Sequence, residues 1–231
     1  MKKIVSGIDG LDDMLDKGIV QGHTLAVLGE CGTGKTTLGL QFLVAGLKAG
    51  EKAILVSLEE EFRSIVENSS NFNWDLEKYA NEKKLLAIKL NPEDSKGTFL
   101  KLSTELEESI KTFGASRILF DSISLFAMLF DSEDERRTNL FKLASIFKRT
   151  GATTIFTSEV NPLKPTTSRD GLIEYVVDGV VLLQFYELNN SRQYTTTLKI
   201  VKMRGSKHSK EIRPYEISTG IGMRVLKSAL I

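Results

Sequence analysis

Residues 28–37 read LGECGTGKTT, and the spacing Gly29-x4-Gly34-Lys35-Thr36 decides the fold. It satisfies the pattern of a phosphate-binding loop. Glycines let the chain turn so that consecutive N–H groups point inward at phosphate. Lys35 brings a compact positive charge to the β and γ phosphates, and Thr36 offers a hydroxyl to Mg²⁺. A helix expected over 36–49 presents its positive N-terminus to the anion. The apolar run TLAVL stands directly before the loop and good helix formers follow it, so both flanks fit. Glu30 and Cys31 occupy variable positions and leave the pattern intact. As a nucleophile Cys31 would require a base partner; a packed or bystander thiol is the simpler reading.

Working outward, residues 23–29, 53–58, 117–121 and 153–158 are short runs rich in Ile, Val, Leu or Phe without strict alternation. Strands covered by helices on both faces look like this. Residues 85–90 are a candidate fifth. Between them, Phe99, Leu102, Leu106, Ile110 and Phe113 recur at steps of three and four, as do Leu140, Leu143, Ile146 and Phe147, giving amphipathic helices. The alternation predicts an α/β fold with a mainly parallel, doubly wound sheet and right-handed crossovers. After Val180 the stretches VVLLQFY, YTTTLKIVKM and EIRPYEI are β-rich and joined by polar turns such as ELNNSRQ. They predict an antiparallel extension at one sheet edge. NPLKPTTSRDG (161–171), with two prolines, reads as a mobile loop. No composition break divides the chain, so one domain is expected over 1–231.

Composition sets bounds. The 231 residues are 41% hydrophobic and 26% charged, enough for one well-filled α/β core. Lys plus Arg total 31 against 30 acids, so no global basic field advertises nucleic acid. The single cysteine excludes an internal disulfide and fits a reducing cytosol, hence a cytoplasmic protein. Apolar runs such as 180–183 fall far short of the roughly 20 residues a bilayer requires. Met1 leads into Lys2 and Lys3 with no apolar segment behind them, so no signal peptide or membrane role is expected.

Two further segments suit a phosphate site. RILFDS puts Asp121 at the end of an apolar strand, where a carboxylate can hold Mg²⁺ through its water shell. AILVSLEEEF puts Glu59 and Glu60 at the end of another, where open α/β sheets bind ligands. One of them could orient or deprotonate an attacking water. The alternative is a helix N-terminus that favours acids for dipole reasons. Glu59, first after the strand, is the stronger candidate for chemistry.

With these segments in place, the chain resembles the KaiC-like branch of the RecA superfamily, which includes archaeal RadA paralogues. SGIDGLDDMLDKGIVQG, GECGTGKTT, LVSLEEEF, ILFDSISLF, GATTIFTSEV and KMRGSKH follow in family order over nearly the whole chain. The resemblance implies a RecA-type P-loop core that binds ATP and Mg²⁺ and assembles into rings or filaments with ATP between neighbouring subunits. Carried over, Gly32, Thr33, Gly34, Lys35, Thr36 and Thr37 bind phosphates and Mg²⁺. Glu59 and Glu60 match the paired catalytic carboxylates. Lys202 and Arg204 match residues that reach the γ-phosphate from the adjacent subunit, with Ser206 and His208 as further contacts of that segment. Ser218 and Thr219 fall where the ring proteins have a Thr-Asp pair, and Thr219 lacks the acid. From the residues alone, KMRGSKHSK also reads as a solvated basic turn or a nucleic-acid patch.

The resemblance places residues 130–139 and the Pro-rich loop at the channel of an assembly. Arg136, Arg137, Lys164 and Arg169 are then candidates for touching a ligand such as single-stranded DNA. Asp131, Glu133, Asp134 and Glu135 oppose that, and solvated helix caps explain the segment equally well. One P-loop argues against a tandem clock kinase, and a core that starts near Met1 argues against full strand exchange. The expectation is an ATPase that is an accessory factor in DNA recombination or repair. The alternatives are a KaiC-like regulatory ATPase acting on protein partners and a nucleotide-dependent scaffold with little hydrolysis.

Overall fold

An apolar run with no polar face needs cover on both sides, and the expected strands have it. In the computed structural model, which describes residues 1–90, 107–187 and 193–227, β3 (Thr24–Gly29), β4 (Ala53–Ser57) and β6 (Arg117–Asp121) are buried at every position. Alternate side chains enter two cores. Leu25, Val27, Leu55 and Leu119 meet α2 (Lys35–Lys48), α3 (Phe62–Ser69) and α4 (Leu76–Asn81). Ala26, Leu28, Val56 and Phe120 meet helical residues 107–113 (α5), α6 (Ile123–Ala127), α7 (Glu133–Thr150) and α8 (Ile173–Val176). Of the apolar stripe read over 99–113, Ile110 and Phe113 lie on α5 and pack into the second core. Phe99, Leu102 and Leu106 lie outside the described residues.

With β5 (Leu85–Lys89), β7 (Thr153–Asn161), β9 (Gly179–Glu187), β10 (Tyr194–Met203), β11 (Ile212–Ser218) and β12 (Gly222–Val225), the main path through the sheet is β12-β11-β10-β9-β3-β7-β6-β4-β5. From β9 to β5 every pairing is parallel. From β9 to β12 every pairing is antiparallel. The fold is therefore the expected α/β core with an antiparallel C-terminal edge, but the boundary lies one strand later than the sequence suggested. VVLLQFY forms β9, a parallel core strand beside β3, buried over its first five residues. Its uninterrupted VVLL is the signature of a doubly covered strand, and the antiparallel turn-back comes at β10.

One loop expectation is corrected, and at a second segment the helix-cap alternative holds. Residues 161–171 do not form an open loop: β8 (Lys164–Ser168) folds back on β7, with Val160 opposite Ser168 and Asn161 opposite Lys164. Pro165 is tolerated because β8 is an edge strand. Residues 133–139 are the start of α7. Ser132 caps it by accepting the Glu135 amide at 3.1 Å, and three acids fill the first turn. A small sheet of β1 (Lys3–Ile4) and β2 (Ile19–Val20), with α1 (Leu11–Met14) between them, closes over the first core.

Candidate functional site

The site grows from the carboxyl ends of four adjacent strands, β3, β7, β6 and β4. β3 runs into the loop, which turns through Gly32 (φ +82°) and Gly34 (φ +84°) into α2. At Gly34 only glycine fits: the backbone is left-handed, and a Cβ would stand 2.4 Å from Ile217. Gly29 is equally tight, since a Cβ there would meet the Thr33 hydroxyl. The loop is braced from within. The Thr33 hydroxyl and the Lys35 ammonium donate to the Glu30 carbonyl at 2.7 and 2.9 Å. The Tyr215 hydroxyl, from β11, donates to the Thr33 carbonyl.

Asp121, at the end of β6, meets this loop. Its Oδ2 accepts the Thr36 hydroxyl at 2.7 Å, and its Oδ1 accepts the Thr157 hydroxyl of β7. A hydroxyl and a carboxylate in contact beside a phosphate loop are hard oxygen donors of the kind Mg²⁺ takes. No cluster of three or more His, Cys, Asp or Glu suited to a metal occurs among the described residues. The donor set therefore fits an ion that draws its other ligands from water and phosphate, as Mg²⁺ does.

The two glutamates after β4 are in different surroundings. Glu59 still reaches solvent, yet its carboxyl is pushed above the usual carboxylate range by partial burial and by the charge of Asp121. Glu60 is tied down. Its amide donates to the Ser57 hydroxyl at 3.0 Å, its carbonyl accepts that hydroxyl, and its Oε2 accepts the Asn68 amide at 2.7 Å.

Lys202 and Arg204 are at the other end of the sheet. Met203 pairs with Gly179 and Gly179 with Leu25, the second residue of β3, whereas the loop departs from Gly29. Four residues separate the two levels, about 13 Å along the strand at about 3.3 Å per residue. A bulge between Ile200 and Lys202 re-aims the end of β10. Lys202 donates to the carbonyls of Glu174 and Val177, both at 2.7 Å, and burial with Arg204 nearby draws its pKa down. Arg204 donates to the Tyr175 carbonyl at 3.2 Å. Ser206 and His208 follow on the same turn, His208 within 2.9 Å of the Lys210 ammonium. Ser218 ends β11, one residue beyond the Ile217 that packs on Gly34. The chain thus gathers Gly29, Gly32, Thr33, Gly34, Lys35, Thr36, Thr37, Glu59, Glu60, Asp121 and Ser218 at one end, and Lys202, Arg204, Ser206 and His208 at the other.

The braces Ser57, Asn68, Thr157 and Tyr215 escaped the sequence reading. They are ordinary polar residues whose role comes from partners brought together by the sheet. For Asn68, eight residues after Glu60 on a helix, the only signal was proximity in sequence. Cys31 is exposed. The cations expected at a channel are largely engaged within the chain. Arg136 pairs with Asp170 and Arg169 with Glu159, both at 3.0 Å, and Arg137 lies 5.9 Å over the Phe141 ring.

A parallel sheet with a glycine loop between its first core strand and helix, and a carboxylate from the next strand but one, defines a P-loop nucleotide-binding protein of the RecA type. The family model described as "ATPase: KaiC" matches residues 4–229, and the chain belongs to that family. It is 30% identical to the circadian clock protein KaiC3 of Synechocystis over 100% of this chain and 47% of that protein. It is 32% identical to the circadian clock oscillator protein KaiC of Thermostichus vulcanus over 96% of this chain and 44% of that one. The chain spans less than half the length of these relatives. The crystal structure of the KaiC-like protein PH0186 from Pyrococcus horikoshii OT3 superposes with a TM-score of 0.85 at 32% identity. That match covers 97% of this chain and 99% of that one. No helix among the described residues is long and apolar enough to cross a membrane.

Proposed function

We propose that the chain is a Mg²⁺-dependent ATPase whose copies assemble so that each nucleotide lies between two of them. The separation of Lys202 and Arg204 from the chain's own phosphate loop carries this reading. A guanidinium useful for phosphoryl transfer must touch the γ-phosphate, and this one sits at the wrong end of its own sheet. A head-to-tail contact, P-loop end against Lys202–His208 end, supplies what one copy lacks; such contacts generate rings when they close and filaments when they do not.

Within that interface the loop amides and Lys35 bind the β and γ phosphates. Thr36 and Asp121 would hold Mg²⁺, which neutralises charge on the phosphates when bound. Glu59, solvent-accessible and hydrogen-bonded to Ser122 rather than pinned to the following helix as Glu60 is by Asn68, takes a proton from the attacking water. Glu60, fixed by Asn68, shapes the turn that presents Glu59. Arg204 and Lys202 of the next copy stabilise charge on the transferred group, Arg204 through its planar fork of donors. Ser206, His208 and Ser218 complete the nucleotide contacts.

Lys35→Ala abolishes ATP hydrolysis and Glu59→Gln removes most of it, measured as phosphate release by purified protein. Wild-type turnover in Glu59→Gln would move the base elsewhere.

Protein partners suit the surface better than single-stranded DNA does. Arg136 and Arg169 are each committed to a carboxylate of the same chain, and α7 begins with three acids. An accessory role in DNA recombination or repair predicts binding that weakens steeply with salt and fails in Lys164→Glu/Arg169→Glu protein. A regulatory ATPase predicts turnover indifferent to single-stranded DNA.

A further inference from the structure

We infer that Asp178 is a positioning residue for the trans-acting clamp, holding Arg204 within reach of the neighbour's phosphate without capturing it. This rests on the reading that Arg204 acts across the interface.

Asp178 stands just before β9, and only 4% of its side chain is exposed. Both its side chain and its backbone are used. Oδ2 accepts the amide and the hydroxyl of Thr24 at 3.1 Å each. Oδ1 accepts the Lys148 ammonium from the last turn of α7 at 2.9 Å and lies 3.8 Å from Arg204 Nη1. Its amide donates to the Thr24 carbonyl and its carbonyl accepts the Arg204 amide, both at 2.8 Å. One residue therefore ties the start of β3, the end of α7 and the turn after β10 to a common point. A buried carboxylate with this many partners is built in place. Burial works to raise its pKa, but the Lys148 and Thr24 hydrogen bonds outweigh that and keep it ionised.

The distances separate two kinds of hold. A charge-assisted hydrogen bond closes at about 2.7–2.9 Å. Lys148 has reached that distance and Arg204 has not. The guanidinium is attracted to Asp178 through space and donates one hydrogen bond, to Tyr175. The rest of its fork of donors stays available for phosphate oxygens. Lys148 occupies the oxygen that Arg204 would otherwise take. Asp178 and Lys148 should therefore err in opposite directions when removed. Without the carboxylate the guanidinium loses its anchor. Without Lys148 it collapses onto the carboxylate. Either displaces a catalytic donor from a neighbour's site.

The test is subunit mixing with three purified variants. Asp178→Asn alone should lose about tenfold to a hundredfold in kcat, the scale on which a misplacement of about 1 Å acts. Mixed with Lys35→Ala protein it should regain turnover, because an Asp178→Asn phosphate loop then meets an intact clamp. Mixed with Arg204→Ala protein it should regain nothing, because both clamps are faulty. The control mixture of Lys35→Ala with Arg204→Ala must itself regain turnover; its failure overturns the trans clamp and the inference with it. If the control succeeds, recovery with Arg204→Ala instead of Lys35→Ala overturns the role of Asp178, as does wild-type kcat in Asp178→Asn. Should Asp178→Asn not fold, Lys148→Met decides. Lys148 is half exposed, so the fold tolerates the change, and kcat should fall about threefold to tenfold and be rescued by Lys35→Ala. An unchanged kcat overturns the inference.

Discussion

At the scale of single residues, the site works by giving similar groups different surroundings. Glu59 and Glu60 are chemically identical and adjacent, yet one keeps solvent contact beside Asp121 and the other is pinned by Asn68. The raised pKa of Glu59 has a directional consequence. As the proposed base, Glu59 must be ionised to accept a proton, so activity should be lost as pH falls through its pKa. Because that pKa lies above the ordinary 4.5, the acid limb of kcat/KM should begin at higher pH than a free glutamate would give. Glu60→Gln should leave that limb in place, since glutamine can still accept the Asn68 hydrogen bond, and Glu59→Gln should lower the rate about a hundredfold or more. An acid limb that moves with Glu60 rather than Glu59 would exchange their roles. Gly34 is constrained by geometry. Alanine there requires a left-handed backbone at a cost of about 1–2 kcal/mol and pushes on Ile217. Titration calorimetry of Gly34→Ala should show ATP affinity reduced at least about tenfold.

Elements carry the site because the sheet ends are fixed. Arg117 opens β6 with 1% of its side chain exposed. It donates to Glu51 at 2.7 Å and to the carbonyls of Val5 and Phe42 at 2.8 and 3.0 Å, and its guanidinium stacks 4.7 Å from the Phe42 ring. One arginine thus binds β6 to α2 and to the N-terminal segment. Arg117→Ala removes a buried side chain, leaves the Glu51 carboxylate and the Val5 and Phe42 carbonyls without this donor, and should cost about 2–4 kcal/mol. Thermal unfolding should show a drop of many degrees; a loss of only a degree or two would mean the cluster is dispensable.

Elements were also where the sequence was most and least legible. β3, β4, β6 and β7 were readable because both faces of each are apolar, which the composition of a strand records. β9 was misplaced because VVLL carries burial but not direction; whether a strand joins parallel or antiparallel depends on partners far along the chain. At the start of α7 the channel-loop and helix-cap readings stood level, and the cap is what forms: Ser132-x-x-Glu135 matches the sequence pattern of a capping box, and the Ser132 hydroxyl accepts the Glu135 amide. The hairpin of β7 and β8 was obscured by its prolines, which forbid a central strand but not an edge. The phosphate loop itself was legible because its function is written in consecutive residues. Asp178 was not, since Thr24 and Lys148 lie 154 and 30 positions away.

For the whole molecule, the sheet sets a polarity. Phosphate-binding groups collect at the carboxyl end of β3 and the basic turn after β10 collects at the opposite end; on the proposed function the chain would hold both halves of a site that it cannot close alone. A protein built this way has turnover that depends on concentration, and dilution below the assembly threshold should silence it while leaving each copy folded. The most direct test mixes two inactive proteins, Lys35→Ala and Arg204→Ala, and measures ATP hydrolysis once subunit exchange is established. Partial recovery of turnover is predicted, from interfaces that pair an intact phosphate loop with an intact clamp. Mixtures as inactive as their components would contradict a site shared between copies.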